Sequence, residues 1–178
     1  MAKRKTRIDK GVPRITKRDI DVFGWIADGE KLSIDLLTIL LARLQNGGRE
    51  KVSLTRAYQW IGRHSGEGYV EYRAELVGKP GWVNIKKKGL MVAGKAYPET
   101  DKSIYWYNHV WACNFVRLWL EEWLQREGYE YELVTERQLR YETKNQLSYY
   151  PDMVLKYADA FVTINVELTD KGAKRYED

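Results

Sequence analysis

Between Tyr107 and Arg126 the chain carries its longest helical pattern, with Val110, Trp111, Cys113, Phe115, Val116, Leu118, Trp119, Leu120, Trp123 and Leu124 apolar. These positions cover more than one face, so the spacing predicts a helix buried between layers, and the flanking sequence has to supply those layers. The tryptophans read as packing. Two polar residues, His109 and Asn114, interrupt the pattern, and they either hold a neighbouring loop or face a ligand.

Upstream, Thr16-Lys17-Arg18-Asp19 has the form of a helix N-cap followed by an acid three positions later, and it opens the apolar series Ile20, Val22, Phe23, Trp25 and Ile26. Ser33 is expected to cap a second helix that stops at Asn46-Gly47-Gly48, and Ser53 a third that runs to about His64. A hairpin follows, with strands Tyr69–Leu76 and Trp82–Lys86 about a Gly/Pro turn. Three helices and a two-stranded wing are the order of a winged helix-turn-helix, whose third helix enters the major groove. On that reading Arg56, Gln59, Trp60, Arg63 and His64 form the DNA-facing side of the helix. Lys79 tips the wing, and Lys86, Lys87 and Lys88 follow it as phosphate contacts. The alternative is a protein-interaction module whose basic face is simply solvated.

Charge favours an anionic partner. The net charge is +5, and the segment from Met1 to Arg18 alone holds eight basic residues against one acid, Asp9. Such an arm tracks phosphates. The single cysteine, Cys113, excludes an internal disulfide framework and any cysteine-based zinc site, reads as a core residue of its apolar helical run, and points to a reducing, cytoplasmic setting. No apolar stretch has the length of a membrane span, and no membrane partner is expected. Composition shifts suggest a flexible arm over 1–15, a winged-helix domain over 16–99 and a second domain over 100–178, with residues 86–103 as the connector.

The second domain reads as a helix, three strands and the start of a helix. The strands are expected at Tyr129–Val134, Ser148–Tyr157 and Phe161–Leu168. Alternation in the last would turn Asn165, Glu167 and Thr169 to one face, within reach of Asp152 on the neighbouring strand. Two carboxylates with oxygen ligands only would suit Mg²⁺ or Mn²⁺ and not zinc, and such a metal can clamp a phosphodiester and activate water. Glu136 is a third candidate carboxylate, or else the partner of Arg140 in an ion pair.

A Pro-Asp at 151–152 followed by Glu167 in a β-rich stretch resembles the PD-(D/E)xK nuclease superfamily. The departure is Thr169, which stands where that pattern has a lysine; Lys171 is the nearest substitute. Taken in order, the basic helices, the helix bearing His109 and Asn114, Glu136-x-x-Leu139-Arg140, Pro151-Asp152 and Glu167-Leu168-Thr169 resemble the replication-relaxation family of plasmids and other mobile elements. The resemblance implies an α+β protein with an N-terminal winged helix and a small restriction-endonuclease-like domain. It further implies a DNA-binding role in replication, relaxation or transfer. It brings His109, Asn114, Arg140 and Thr169 into view as family-matched positions, and it makes other replication or transfer proteins expected partners. Two other functions stay open: a metal-dependent nickase with Asp152, Glu167 and Lys171 as catalytic residues, and a transcriptional or assembly factor whose second domain forms a homodimer.

Overall fold

A computed structural model describes residues 14–45, 50–99, 106–157 and 160–168. The fold is mixed α+β, with six helices and two antiparallel three-stranded sheets among the described residues. None of these helices is long and apolar enough to cross a membrane. Most of the basic arm lies outside the described residues, as do Thr169 and Lys171.

Helix α1 spans Lys17–Asp28 and opens with the expected capping box: Thr16 Oγ1 accepts from the Asp19 N–H, and the Asp19 carboxylate accepts from the Thr16 N–H at 3.0 Å. After it come β1 (Lys31–Ser33), α2 (Ile34–Arg43) and α3 (Leu54–Gly66), the last capped by the Ser53 hydroxyl. Strands β2 (Val70–Arg73) and β3 (Trp82–Ile85) complete a sheet of order β1-β3-β2, in which Val83 faces Leu32 on one side and Tyr72 on the other. The hairpin arms are thus shorter than their alternation suggests, because pairing ends at Arg73 opposite Trp82 and the chain then turns through Gly78 at φ +73°. The core gathers Phe23, Ile26, Leu37, Leu40, Trp60 and Val83 from these elements.

The expected connector contains a short helix, α4 (Lys87–Val92). Gly89 lets it lie against the chain just before β2: a Cβ there would stand 2.3 Å from the Tyr69 carbonyl oxygen. Helix α5 then spans Tyr107–Arg126, the bounds its apolar pattern predicts. Its environment differs from the expectation. The buried side includes Asn114, Arg117 and Glu121, whereas Phe115 and Trp119 are 45% and 58% exposed. The helix thus meets the first half through polar residues as well as through Tyr107, Val110 and Leu118, and its aromatics stack in pairs, half-buried Trp111 on Phe115 and exposed Trp119 on Trp123.

The second sheet has the order β4 (Tyr131–Thr135), β5 (Met153–Tyr157), β6 (Ala160–Ile164), with α6 (Glu136–Glu142) between β4 and β5. Thr135 ends β4 and caps α6 in a second capping box with Gln138. Strand β6 stops at Ile164, short of the predicted Leu168. Its continuation is diverted because the Val166 N–H donates to Asp152 Oδ2 at 2.7 Å, satisfying a backbone donor with a side chain in place of a ladder partner. Glu167 consequently lies beyond the strand, exposed, and the strand alternation assumed for Asn165 and Glu167 does not hold, while Thr169 lies outside the described residues.

Candidate functional site

What fixes α5 in place is the C-terminal end of α1. Carbonyls at the end of a helix run short of intrahelical donors, and here the second half adds side-chain donors to those that the Gly29 and Glu30 N–H groups give Trp25 and Ala27. Arg117 Nη1 donates to the Trp25 carbonyl at 3.1 Å, Arg137 Nη1 to that of Ala27 at 2.6 Å, and Thr135 Oγ1 to that of Asp28 at 2.8 Å. Two positive guanidiniums at a helix C-terminus also complement its macrodipole. Burial pulls the Arg137 guanidinium below its ordinary pKa, with Glu30, Tyr97 and Asp28 acting in the opposite sense. Glu121 compensates Arg117 at 2.9 Å and also receives Arg43 Nη1 and Trp25 Nε1, each at 3.0 Å. Asn114 donates to the Lys31 carbonyl at 2.7 Å. It is therefore a structural clamp between α5 and β1; both polar interruptions in the α5 pattern line the small cavity beside this clamp, and His109 also lines a larger open groove.

His109 Nε2 lies 2.9 Å from Asp152 Oδ1 and 3.5 Å from Cys113 Sγ. His109 and Cys113 are four residues apart, one turn of α5, and so share a face. Asp152 sits just before β5 and is held from three directions. Its carbonyl accepts the Glu136 N–H at 2.9 Å, Oδ2 accepts the Val166 N–H, and Oδ1 is left toward His109. On one side of this cluster is a cavity of about 50 Å³ lined by His109, Cys113, Asp152 and Glu136. On the other, His109 and Asp152 form the floor of an open groove of about 660 Å³ walled by Trp106, Tyr149, Tyr150 and Glu167.

The structure thus brings Asp152 and Glu167 to one groove, with Glu136 behind Asp152 in the smaller cavity. Glu136 is engaged by Arg140 at 2.7 Å, the ion pair that was one of its two sequence readings, and the Arg140 guanidinium lies 4.3 Å over the Tyr150 ring. The donor atoms that converge among the described residues are those of His109, Cys113 and Asp152, all within 4.8 Å of one another. Cys113 was missed as a candidate because counting cysteines cannot reveal a mixed donor set. Its spacing of four from His109 was the available signal.

The residues expected to face DNA divide in two. Arg56, Gln59 and Arg63 are exposed on α3, as are Lys79 at the turn and Lys87. Neither Arg56 nor Arg63 takes part in an ion pair among the described residues. Trp60 and His64 are corrections, being 2% and 0% exposed. Trp60 Nε1 donates to Asp19 Oδ1 at 2.9 Å, and His64 packs among Phe23, Trp60 and Tyr69. A buried acid from α1 has turned both toward the core, because an indole N–H and an imidazole there find a polar partner in Asp19. The lysine run is also partly committed. Lys86 bridges Glu99 at 2.7 Å and Glu71 at 3.6 Å; the bond to Glu99 raises the Lys86 pKa and lowers that of Glu99, while Glu71 is lowered first by its hydrogen bond from Arg73 and to a lesser extent by Lys86. Lys88 donates to the Glu67 carbonyl at 2.8 Å and lies over the Tyr69 ring.

No protein-family model, no curated protein and no solved structure matches this chain.

Proposed function

We propose that the protein binds duplex DNA through the exposed face of α3, with the β2–β3 turn as an accessory backbone contact. The observation that carries this reading is the surface formed by Arg56, Gln59 and Arg63, a set able to donate to base edges and phosphates, with both guanidiniums uncommitted to carboxylates among the described residues. The element order α1-β1-α2-α3-β2-β3 and the sheet order β1-β3-β2 support a winged helix-turn-helix for this half. In that frame Lys79 and Lys87 stand as phosphate contacts, and the basic N-terminal arm adds non-specific attraction. We extend the reading, on the resemblance of the ordered motifs alone, to a role in the replication, relaxation or transfer of a mobile element. The nickase reading has weaker support, since Glu167 lies past the end of β6 and Glu136 is paired with Arg140.

The test is titration of the full chain onto labelled duplex DNA over a range of NaCl concentrations, wild type beside Arg56→Ala/Arg63→Ala. A linear fall of log affinity with log salt is expected for the wild type. The double variant should bind at least tenfold more weakly, with a slope smaller by about 0.9 for each phosphate that is no longer neutralised. Equal affinity and slope in the two proteins would reject the proposal.

A further inference from the structure

The geometry points to a site for one zinc-class divalent cation, bound by His109 Nε2, Cys113 Sγ and Asp152 Oδ1, with a fourth coordination position left for water or a ligand. The inference is independent of the DNA-binding reading and uses none of its residues.

Distances come first. Donors about 2.0–2.3 Å from a tetrahedral ion stand roughly 3.5 Å from one another. The three atoms here lie within 4.8 Å of each other, with N–S at 3.5 Å and N–O at 2.9 Å, so small side-chain adjustments suffice to seat an ion between them.

Direction is the second argument. The thiol and the carboxylate both address the same ring nitrogen, Nε2. A nucleophilic cysteine relayed through histidine to an acid would place its two partners on the two different nitrogens of the ring. Convergence on one nitrogen is unsuited to that relay and suited to a shared ion.

The supports are rigid. Arg117 and Asn114 hold α5 against the first half, and Asp152 is fixed through its carbonyl and through Oδ2, which leaves Oδ1 for the ion. Fixed orientation of the ligands by surrounding hydrogen bonds is a regular feature of protein metal sites. The adjoining cavity of about 50 Å³ has room for the ion's open position and a water, whose share of liquid volume is about 30 Å³.

The donor set selects the cation. A thiolate and an imidazole favour Zn²⁺ or Co²⁺, whereas Mg²⁺ and Mn²⁺ prefer oxygen ligands. Binding needs a neutral ring protonated at Nδ1, so the proton between Nε2 and Oδ1 passes by way of solvent to Nδ1, or stays in solvent where Nδ1 already holds one; the Cys113 thiol proton also leaves to solvent, and no ligand changes oxidation state.

The experiment uses the full chain, stripped with a chelator under reducing conditions and titrated with Co²⁺. One equivalent should bind, producing visible bands of tetrahedral intensity together with a thiolate-to-Co²⁺ charge-transfer band. Zn²⁺ should bleach the spectrum, and a millimolar excess of Mg²⁺ should leave it unchanged. Cys113→Ser should abolish the charge-transfer band, and His109→Ala and Asp152→Asn should each weaken binding at least tenfold, with metal-free circular dichroism confirming that the variants fold. A wild-type chain without the charge-transfer band overturns the proposal regardless of how the variants behave. So does a Cys113→Ser protein that keeps the wild-type spectrum, or displacement of Co²⁺ by Mg²⁺.

Discussion

Arg117 reaches from α5 to the end of α1, donating to the Trp25 carbonyl at 3.1 Å while its guanidinium lies 4.3 Å from the centroid of the Trp25 indole. One side chain thus satisfies a helix-end acceptor, stacks on an aromatic face and neutralises Glu121. Replacing it with alanine leaves Glu121 to Arg43 alone among charged partners in the described residues and leaves the Trp25 carbonyl with the Gly29 N–H alone, at 3.1 Å. We expect Arg117→Ala to cost on the order of 3 kcal/mol, as removal of one member of a buried ion pair does. Urea unfolding followed by circular dichroism should show a lower midpoint with little change in slope.

Gly29 follows α1 in an ordinary backbone conformation, φ −87°, so its importance is one of space. A Cβ there would lie 2.3 Å from Asn114 Oδ1. Gly29→Ala should displace the Asn114 amide from the Lys31 carbonyl and destabilise the fold by roughly 1–3 kcal/mol. Gly29→Ala combined with Asn114→Ala should lose less than the sum of the two single changes, and thermal melts of the three variants would measure that coupling.

Acid should weaken the first half through His64. Burial lowers its pKa from the ordinary 6.5, an effect that the Asp19 carboxylate 3.3 Å away offsets only in part. The unfolded chain then takes up a proton before the native state does, so stability present above pH 6.5 is lost as pH falls below it. Asp19 behaves differently. Burial pushes its pKa up, but hydrogen bonds from Thr16 and Trp60 outweigh this and hold it below 3.8, so its contribution persists until pH falls through that lower value. Unfolding free energies measured from pH 8 downward should therefore begin to drop near 6.5, and His64→Gln should flatten that segment while leaving the steeper loss at lower pH.

Among the basic residues proposed to contact DNA, the arginines should matter more than the lysine run. Lys86 and Lys88 are already engaged by Glu99, Glu71 and Glu67, and a phosphate would have to compete for them. Lys86→Ala/Lys88→Ala is expected to reduce duplex affinity less than Arg56→Ala/Arg63→Ala does. Parallel titrations at one fixed salt concentration would rank them.

How legible was this in the sequence? Elements whose own residues carry the signal were readable: α5 from its apolar run, and α1 and α3 from Thr16 and Ser53 as caps. Strand β1 was not, because Lys31-Leu32-Ser33 is three residues, all buried, and shows no alternation. Helix α4 was hidden by Gly89, which weakens helical propensity but allows close packing on Tyr69. The site was half legible. His109 stood out as a polar interruption of an apolar pattern and Asp152 through its Pro-Asp step, but the nearest donor to His109 on its own helix is Cys113, a residue type that usually signals core packing. Trp60 and His64 were assigned to the wrong side because the acid that turns them inward lies 41 residues before Trp60, a relationship that periodicity within α3 cannot contain.

Helix α1 is held at both ends by partners distant in sequence. Asp19, at its start, bonds Trp60 on the inner side of α3, while the carbonyls at its end are bonded by Arg117, Thr135 and Arg137. It therefore acts as a strut: the outward aim of α3 is referenced, through a single twelve-residue helix, to the frame that carries His109 and Asp152. A tilt imposed at either end has to appear at the other or break a buried hydrogen bond.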